Sequence, residues 1–128
     1  MAIKDDYGKW LPMGPAALHI LLVLAPEPLH GYGIMREIAR QSEGKYRIGP
    51  GTLYDNLKKL MNDGLVEETA RGASNRTARA NRANGERVKR YYRLSGLGRG
   101  ALAAEVTRLQ GLVREAQGRL RGLKPKRA

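Results

Sequence analysis

The 128-residue chain is 41% hydrophobic, has no cysteine, and sets 24 lysines and arginines against 12 acidic residues for a net charge of +12. That length holds one domain with an appendage, the missing cysteine excludes disulfides, thiolate nucleophiles and cysteine-bound metals, and the charge points to a polyanionic partner. The imbalance is one-sided: residues 1–64 carry eight basic and seven acidic side chains, and residues 65–128 carry sixteen and five.

The opening KDDYGKW does not resemble a secretory signal. The longest apolar run, AALHILLVLA at 16–25, is too short to span a bilayer and contains His19, so no membrane association and a cytoplasmic location are expected. Trp10, the only tryptophan, stands beside Tyr7, Leu11 and Met13; it reads as the anchor of an N-terminal arm or, with Met13, as the wall of an effector site. A first helix is predicted from Met13–Pro15 to about Ala25, where Pro26 and Pro28 forbid continuation. Tyr32, Met35, Ile38 and Ala39 recur at helical spacing and predict a second, shorter helix closed by Gly44.

Gly49, Pro50 and Gly51 read as a turn. Leu53, Leu57, Leu60 and Met61 then repeat at i, i+4, i+7 and i+8 up to Asp63-Gly64, which predicts an amphipathic third helix. Its opposite face carries Thr52, Asp55, Lys59 and Asn62, with Lys58 at the border, and every one of these side chains can hydrogen-bond. Leu65–Thr69 and Arg87–Leu94 read as two strands of a hairpin, with Tyr91 and Tyr92 alternating so that one packs inward and the other lies on the outer face. Between them RGASNRTARANRANGERVKR, residues 71–90, sets seven basic side chains against Glu86 with no leucine, isoleucine or aromatic residue. It cannot bury enough apolar surface to order itself alone, so 71–86 reads as a long basic hairpin tip.

Ser95 is placed to cap a last helix reaching about Leu123. Leu102, Val106, Leu109, Val113, Ala116, Leu120 and Leu123 alternate spacings of four and three, the pattern of a coiled-coil seam that a partner chain would cover. The expected fold is therefore mainly α with a small β-hairpin: a winged helix-turn-helix over 1–94, a dimerisation helix over 95–123, and a basic tail at 124–128.

Three segments, LHGYGIMREI at 29–38, GPGTLYDNLKKLMNDGLVEE at 49–68 and KRYYRLSGLGRGAL at 89–102, resemble the PadR family of bacterial transcriptional regulators. The resemblance implies a homodimer bound to a pseudo-palindromic operator in double-stranded DNA, usually as a repressor, with the third helix in the major groove and the wing along the backbone or minor groove. The single C-terminal helix looks like the family's shorter subgroup, in which the first and last helices of both subunits pack together and some members bind flat hydrophobic or aromatic effectors. The chain departs from the family in its longer wing tip and in having Gly96 and Gly98 where an acidic residue is usual.

Candidate contacts follow from chemistry. Gly49 and Gly51 let backbone approach a phosphate, and Thr52 and Tyr54 offer hydroxyls to phosphates. Thr52, Asp55 and Asn56 face base edges in the leading turn; Asp55 accepts from cytosine or orients Lys59, and Lys58 adds charge. Tyr32 reaches the backbone from the second helix. Arg76, Arg79 and Arg82 lie three residues apart, framed by Arg71, Arg87, Lys89 and Arg90, and suit a minor groove. His19 and His30 lack partners at ligand spacing, and GPGTLY lacks the lysine of a nucleotide loop, so no metal, cofactor or enzymatic activity is expected. The rival readings are a nonspecific, nucleoid-type nucleic-acid binder driven by the basic half and a protein adaptor using the 102–123 seam.

Overall fold

Prolines set the first boundaries. In the computed structural model, which describes residues 7–70 and 90–122, Pro15 stands in the first turn of helix α1 (Pro15–Leu24), where its missing N–H removes no helical hydrogen bond. A 3-10 turn, Gly8–Trp10, precedes it. Strand β1 (Leu29–His30) leads into α2 (Gly31–Gln41), which His30 caps by accepting the Gly33 N–H on Nδ1 at 2.9 Å. Helix α3 (Pro50–Asn62), strands β2 (Val66–Thr69) and β3 (Tyr91–Leu94), and the long helix α4 (Gly96–Gly122) follow. None of the described helices is long and apolar enough to cross a membrane.

Helices and a small sheet appear as expected, with local differences. The sheet has three strands in the order β1-β3-β2, not a two-stranded hairpin alone. Leu29 and Tyr92 are antiparallel partners on one side of β3, Val66 and Leu94 on the other. Two residues squeezed between prolines and a helix start show no alternation, so β1 leaves no pattern to read. Because β3 is central, Tyr91 and Tyr92 are both buried, which corrects the expectation that one lies outward. Tyr91 meets the His30 ring edge-on, with centroids 5.4 Å apart, and Tyr92 joins the main core. Gly49-Pro50-Gly51 is not a separate turn: Gly49 caps α3, and Pro50 and Gly51 already belong to its first turn. The close of α2 begins at Glu43, with φ 54°, one residue before Gly44 at 77°.

The core draws one stripe from each helix. Ile20 and Leu21 of α1, Ile34 and Ile38 of α2, Leu53 and Leu57 of α3 and Ala101 of α4 are all 0% exposed, and Leu65, Val66 and Leu94 close it from the strands. Each such leucine or isoleucine contributes about 1.5–3 kcal/mol of transfer free energy, enough to hold three short helices together. Helix α3 stops in a left-handed turn at Gly64 (φ 80°), where the Leu65 N–H donates to the Leu60 carbonyl at 2.9 Å.

Ser95 joins that turn to α4. Its N–H donates to the Leu65 carbonyl at 3.0 Å, its Oγ donates to the Gly64 carbonyl at 2.6 Å, and the same Oγ accepts the Gly98 N–H at 2.9 Å. Gly98 lies against the Leu65 carbonyl so closely that any Cβ would collide with the oxygen. Gly98→Ala is therefore expected to destabilise the fold by about 1–3 kcal/mol. Gly118→Ala, with nothing within 4 Å of the added carbon, is expected to stabilise it by up to about 1 kcal/mol. Urea denaturation checks both through opposite shifts of the midpoint.

Candidate nucleic-acid interface

Burying Leu53, Leu57 and Leu60 against the core turns the other side of α3 to solvent. Gly51, Thr52, Tyr54, Asp55, Lys58 and Lys59 are all exposed there. Asn56 is placed differently from the rest: it is half-buried, and its amide donates to the Thr52 carbonyl at 2.8 Å within the helix. A Cβ at Gly49 or Gly51 would meet nothing within 4 Å. The fold makes no steric demand for glycine at either position, so the space over the start of α3 stays open to an incoming backbone.

A second group gathers at the wing base. Tyr32 of α2, Tyr54 of α3, and Arg90 and Tyr92 beside or on β3 line a shallow groove with Gly31 at its floor. The Tyr54 hydroxyl lies over the Gly31 backbone so tightly that any side chain at 31 would displace it. Tyr32 is 63% exposed and Tyr54 48%. Burial pushes the Tyr92 hydroxyl above its ordinary value, with the neighbouring Tyr54 and Glu68 acting in the same direction and Arg90 against it, so it stays protonated as a hydrogen-bond donor. Arg90 pairs with Glu68 at 3.1 Å, and Arg93 with Glu67 at 2.9 Å across the strands. The other wing residues named above, Arg71, Arg76, Arg79, Arg82, Arg87 and Lys89, lie outside the described residues.

The N-terminal arm covers the opposite end of α3. Trp10 and Met13 line a cavity of about 220 Å³ together with Ala17 of α1 and Asn56, Lys59 and Asp63 of α3. Tyr7 packs beside Trp10 with ring centroids 6.3 Å apart, and the Lys9 ammonium sits 4.7 Å from the Trp10 ring centre. The arm is tied down by Glu105 of α4, which is 1% exposed: one carboxylate oxygen accepts the Met13 N–H at 3.1 Å, and Arg108 donates to both oxygens at 2.7 and 2.9 Å. Sequence reasoning missed Glu105, because its partner Met13 lies 92 positions away and no local spacing signals the pair.

On α4 the heptad seam divides. Leu102 lies in this chain's own core, Leu109 is half-buried, Val106, Val113 and Leu120 are 37%, 52% and 67% exposed, and Ala116 is also exposed. Leu112, outside the heptad pattern, adds to the uncovered face at 56%. Leu123 and the tail lie outside the described residues. Among the described residues no three histidine, cysteine or acidic side chains gather to hold a metal.

A family model described as the transcriptional regulator PadR-like family matches residues 20–104. The chain is 35% identical over 101 residues to a transcriptional regulator of Mycobacterium tuberculosis, covering 79% of this chain and 81% of that protein. Its fold is similar to that of a transcriptional regulator from Clostridium thermocellum, with TM-score 0.63 and 19% identity over 92% of this chain and 97% of that one. It is also similar to that of a PadR-like transcription factor from Bacteroides fragilis, with TM-score 0.63 and 22% identity over 89% and 98%.

The Glu105 linkage carries a pH signature. The Arg108 hydrogen bonds, helped by the Met13 N–H, hold the carboxyl below the ordinary value near 4.5, against burial that raises it. A depressed folded-state value stabilises above the unfolded value and loses that contribution as pH falls through the folded one. Wild type is thus expected to exceed Glu105→Gln in unfolding free energy by a constant margin above about pH 5.5, and the margin should narrow below about pH 4.5. Chemical denaturation across that range checks it.

Proposed function

Because the chain belongs to the PadR-like family of transcriptional regulators, we propose that it is a cytoplasmic, homodimeric repressor that binds a pseudo-palindromic operator near the promoter it controls. The observation that carries this reading is the division of α3: Leu53, Leu57 and Leu60 are sealed in the core while Thr52, Asp55 and Lys59 stand exposed behind an open, glycine-lined helix start. A purely electrostatic binder has no need of such a face. Aspartate beside phosphates is repulsive, so Asp55 supports direct base readout, accepting from cytosine or orienting Lys59. Thr52, Tyr54, Tyr32 and the amides at the start of α3 take the phosphates that fix register. The basic residues of 71–90 lie along a groove and raise affinity more than specificity. The uncovered apolar face of α4 between Val106 and Leu120 joins the two copies.

The cavity under Trp10 supports an effector site for a flat apolar molecule. Its α3 wall, Asn56, Lys59 and Asp63, belongs to the recognition helix itself. An occupant there shifts α3 relative to the arm and weakens operator binding.

Two outcomes are expected. In titrations at near-physiological salt, DNA from upstream of the protein's own gene binds at least about a thousandfold more tightly than scrambled DNA. Asp55→Ala shrinks that ratio, and Val113→Glu abolishes both the dimer in sedimentation and the tight binding. Equal affinity for both DNAs, lost as salt rises, would demote the reading to the nonspecific alternative. For the cavity, the apolar dye ANS quenches Trp10 fluorescence while operator affinity falls; quenching with unchanged affinity would separate the cavity from regulation.

A further inference from the structure

Acids are distributed unevenly among the arginines near α3. Arg40 pairs with Glu37, Arg90 with Glu68 and Arg93 with Glu67. Among the described residues Arg36 and Arg47 have no carboxylate partner, although both are exposed. They come together from different elements: Arg36 from the outer face of α2, and Arg47 from the segment entering α3, two residues before its cap Gly49. Between them lies an open groove of about 430 Å³ with Met35, Ala39 and Ile48 as apolar lining and Tyr32 as one wall. The Arg36 guanidinium stands 5.7 Å from the Tyr32 ring centre. Tyr32 also walls the groove that holds Tyr54, Arg90 and Tyr92. The two grooves therefore adjoin through one side chain, and Arg36 and Arg47 stand across Tyr32 from the wing.

We propose that Arg36 and Arg47 form a second phosphate clamp, gripping the sugar–phosphate backbone beside the bases that α3 reads. This rests on the DNA-binding reading above and adds residues that it does not use. Two guanidiniums without a carboxylate partner, held in one groove, repel each other and are neutralised by an anionic strand. The apolar lining accepts a deoxyribose, whose carbon face has no charge to satisfy, while the arginines take the phosphates on either side. The exposed Tyr32 ring supports the Arg36 guanidinium and limits its freedom, which reduces the ordering entropy lost on contact. Because phosphates are the same in every sequence, the clamp adds affinity and register and no base preference. Arg36 is four residues beyond Tyr32, a spacing that places both on one helix face and that the sequence displays without naming a partner.

The test compares wild type, Arg36→Ala/Arg47→Ala, Arg36→Lys/Arg47→Lys and the charge-matched control Arg119→Ala/Arg121→Ala near the far end of α4. Dissociation constants are measured from low to near-physiological salt on operator and on scrambled duplex. For the alanine pair, the log–log salt slope is expected to fall by about 0.9 per phosphate released, about 3.6 per dimer, on both DNAs, with their affinity ratio unchanged. The lysine pair and the distal control are expected to keep the wild-type slope. Arg36→Gln/Arg47→Gln gives the same comparison should the alanine pair lose stability. An unchanged slope for the neutral pairs, an equal fall in the distal control, or an equal fall in the lysine pair would overturn the clamp. If wild type does not prefer the operator yet the alanine pair still lowers the slope, the operator reading fails and the clamp stands. If wild type binds neither duplex, both fail.

Discussion

The joint at Ser95 is the constraint on which the rest of the molecule depends. One hydroxyl receives the Gly98 amide in the first turn of α4 and donates to the Gly64 carbonyl in the turn that follows α3, and Gly98 rests directly on the next carbonyl along, Leu65. The end of α3 and the start of α4 are thus two sides of a single packed contact, and neither can rotate without breaking hydrogen bonds in the other. A regulator that reads two half-sites needs a fixed distance between its recognition helices, set by the dimer and carried to each α3 without slack. In the proposed dimer this joint is the link between the pairing helix and the reading helix, reinforced by Arg99, which donates to the Ala25 carbonyl at the end of α1 at 3.2 Å.

Charge is organised as closely as packing. The cross-strand pairs Glu67–Arg93 and Glu68–Arg90 are half-exposed, and such pairs contribute only about 0.2–1 kcal/mol each. Their consequence is directional: they hold Arg90 and Arg93 along the sheet, whereas Arg36 and Arg47 have no carboxylate partner among the described residues. The buried Glu105 is a different case, because it fixes a backbone amide of the arm as well as an arginine. It ties Met13, which lines the cavity beside Trp10, to α4, so the arm wall of the proposed effector site is anchored to the helix proposed to pair the two copies.

What could be read in the sequence was whatever repeats locally. The apolar stripe of α3, the proline-bounded α1 and the serine cap of α4 each follow from neighbours within a few positions, and the structure has them where the periodicity put them. The two-residue strand Leu29–His30 has too few residues to show a period, and its existence is what buries both Tyr91 and Tyr92. Asn56 has a polar side chain in the right helix, but its rotation toward the arm depends on tertiary packing and on its bond to Thr52. Arg36 and Arg47 look like ordinary surface charges in one dimension; only their convergence on Tyr32 across ten intervening positions of chain supports the shared role proposed for them.

The glycines of α4 bear on the proposed pairing of this helix with a second copy. Gly98 is required sterically, since a side chain there would strike the Leu65 carbonyl, and a side chain at Gly100 would displace the Tyr7 ring of the arm. Gly111, Gly118 and Gly122 face open space, and Gly111 and Gly118, inside α4, each cost about 1 kcal/mol of helix stability relative to alanine with no contact inside the chain to offset it. A solvated helix with that many weak points, and with Leu112, Val113 and Leu120 uncovered, draws little stability from its own chain. In the proposed dimer a second copy supplies the missing burial, so order in the distal half of α4 and dimerisation become one equilibrium that shifts with protein concentration. Because the joint at Ser95 couples α4 to α3, the same equilibrium would, under that proposal, govern whether two α3 helices are presented at a fixed spacing.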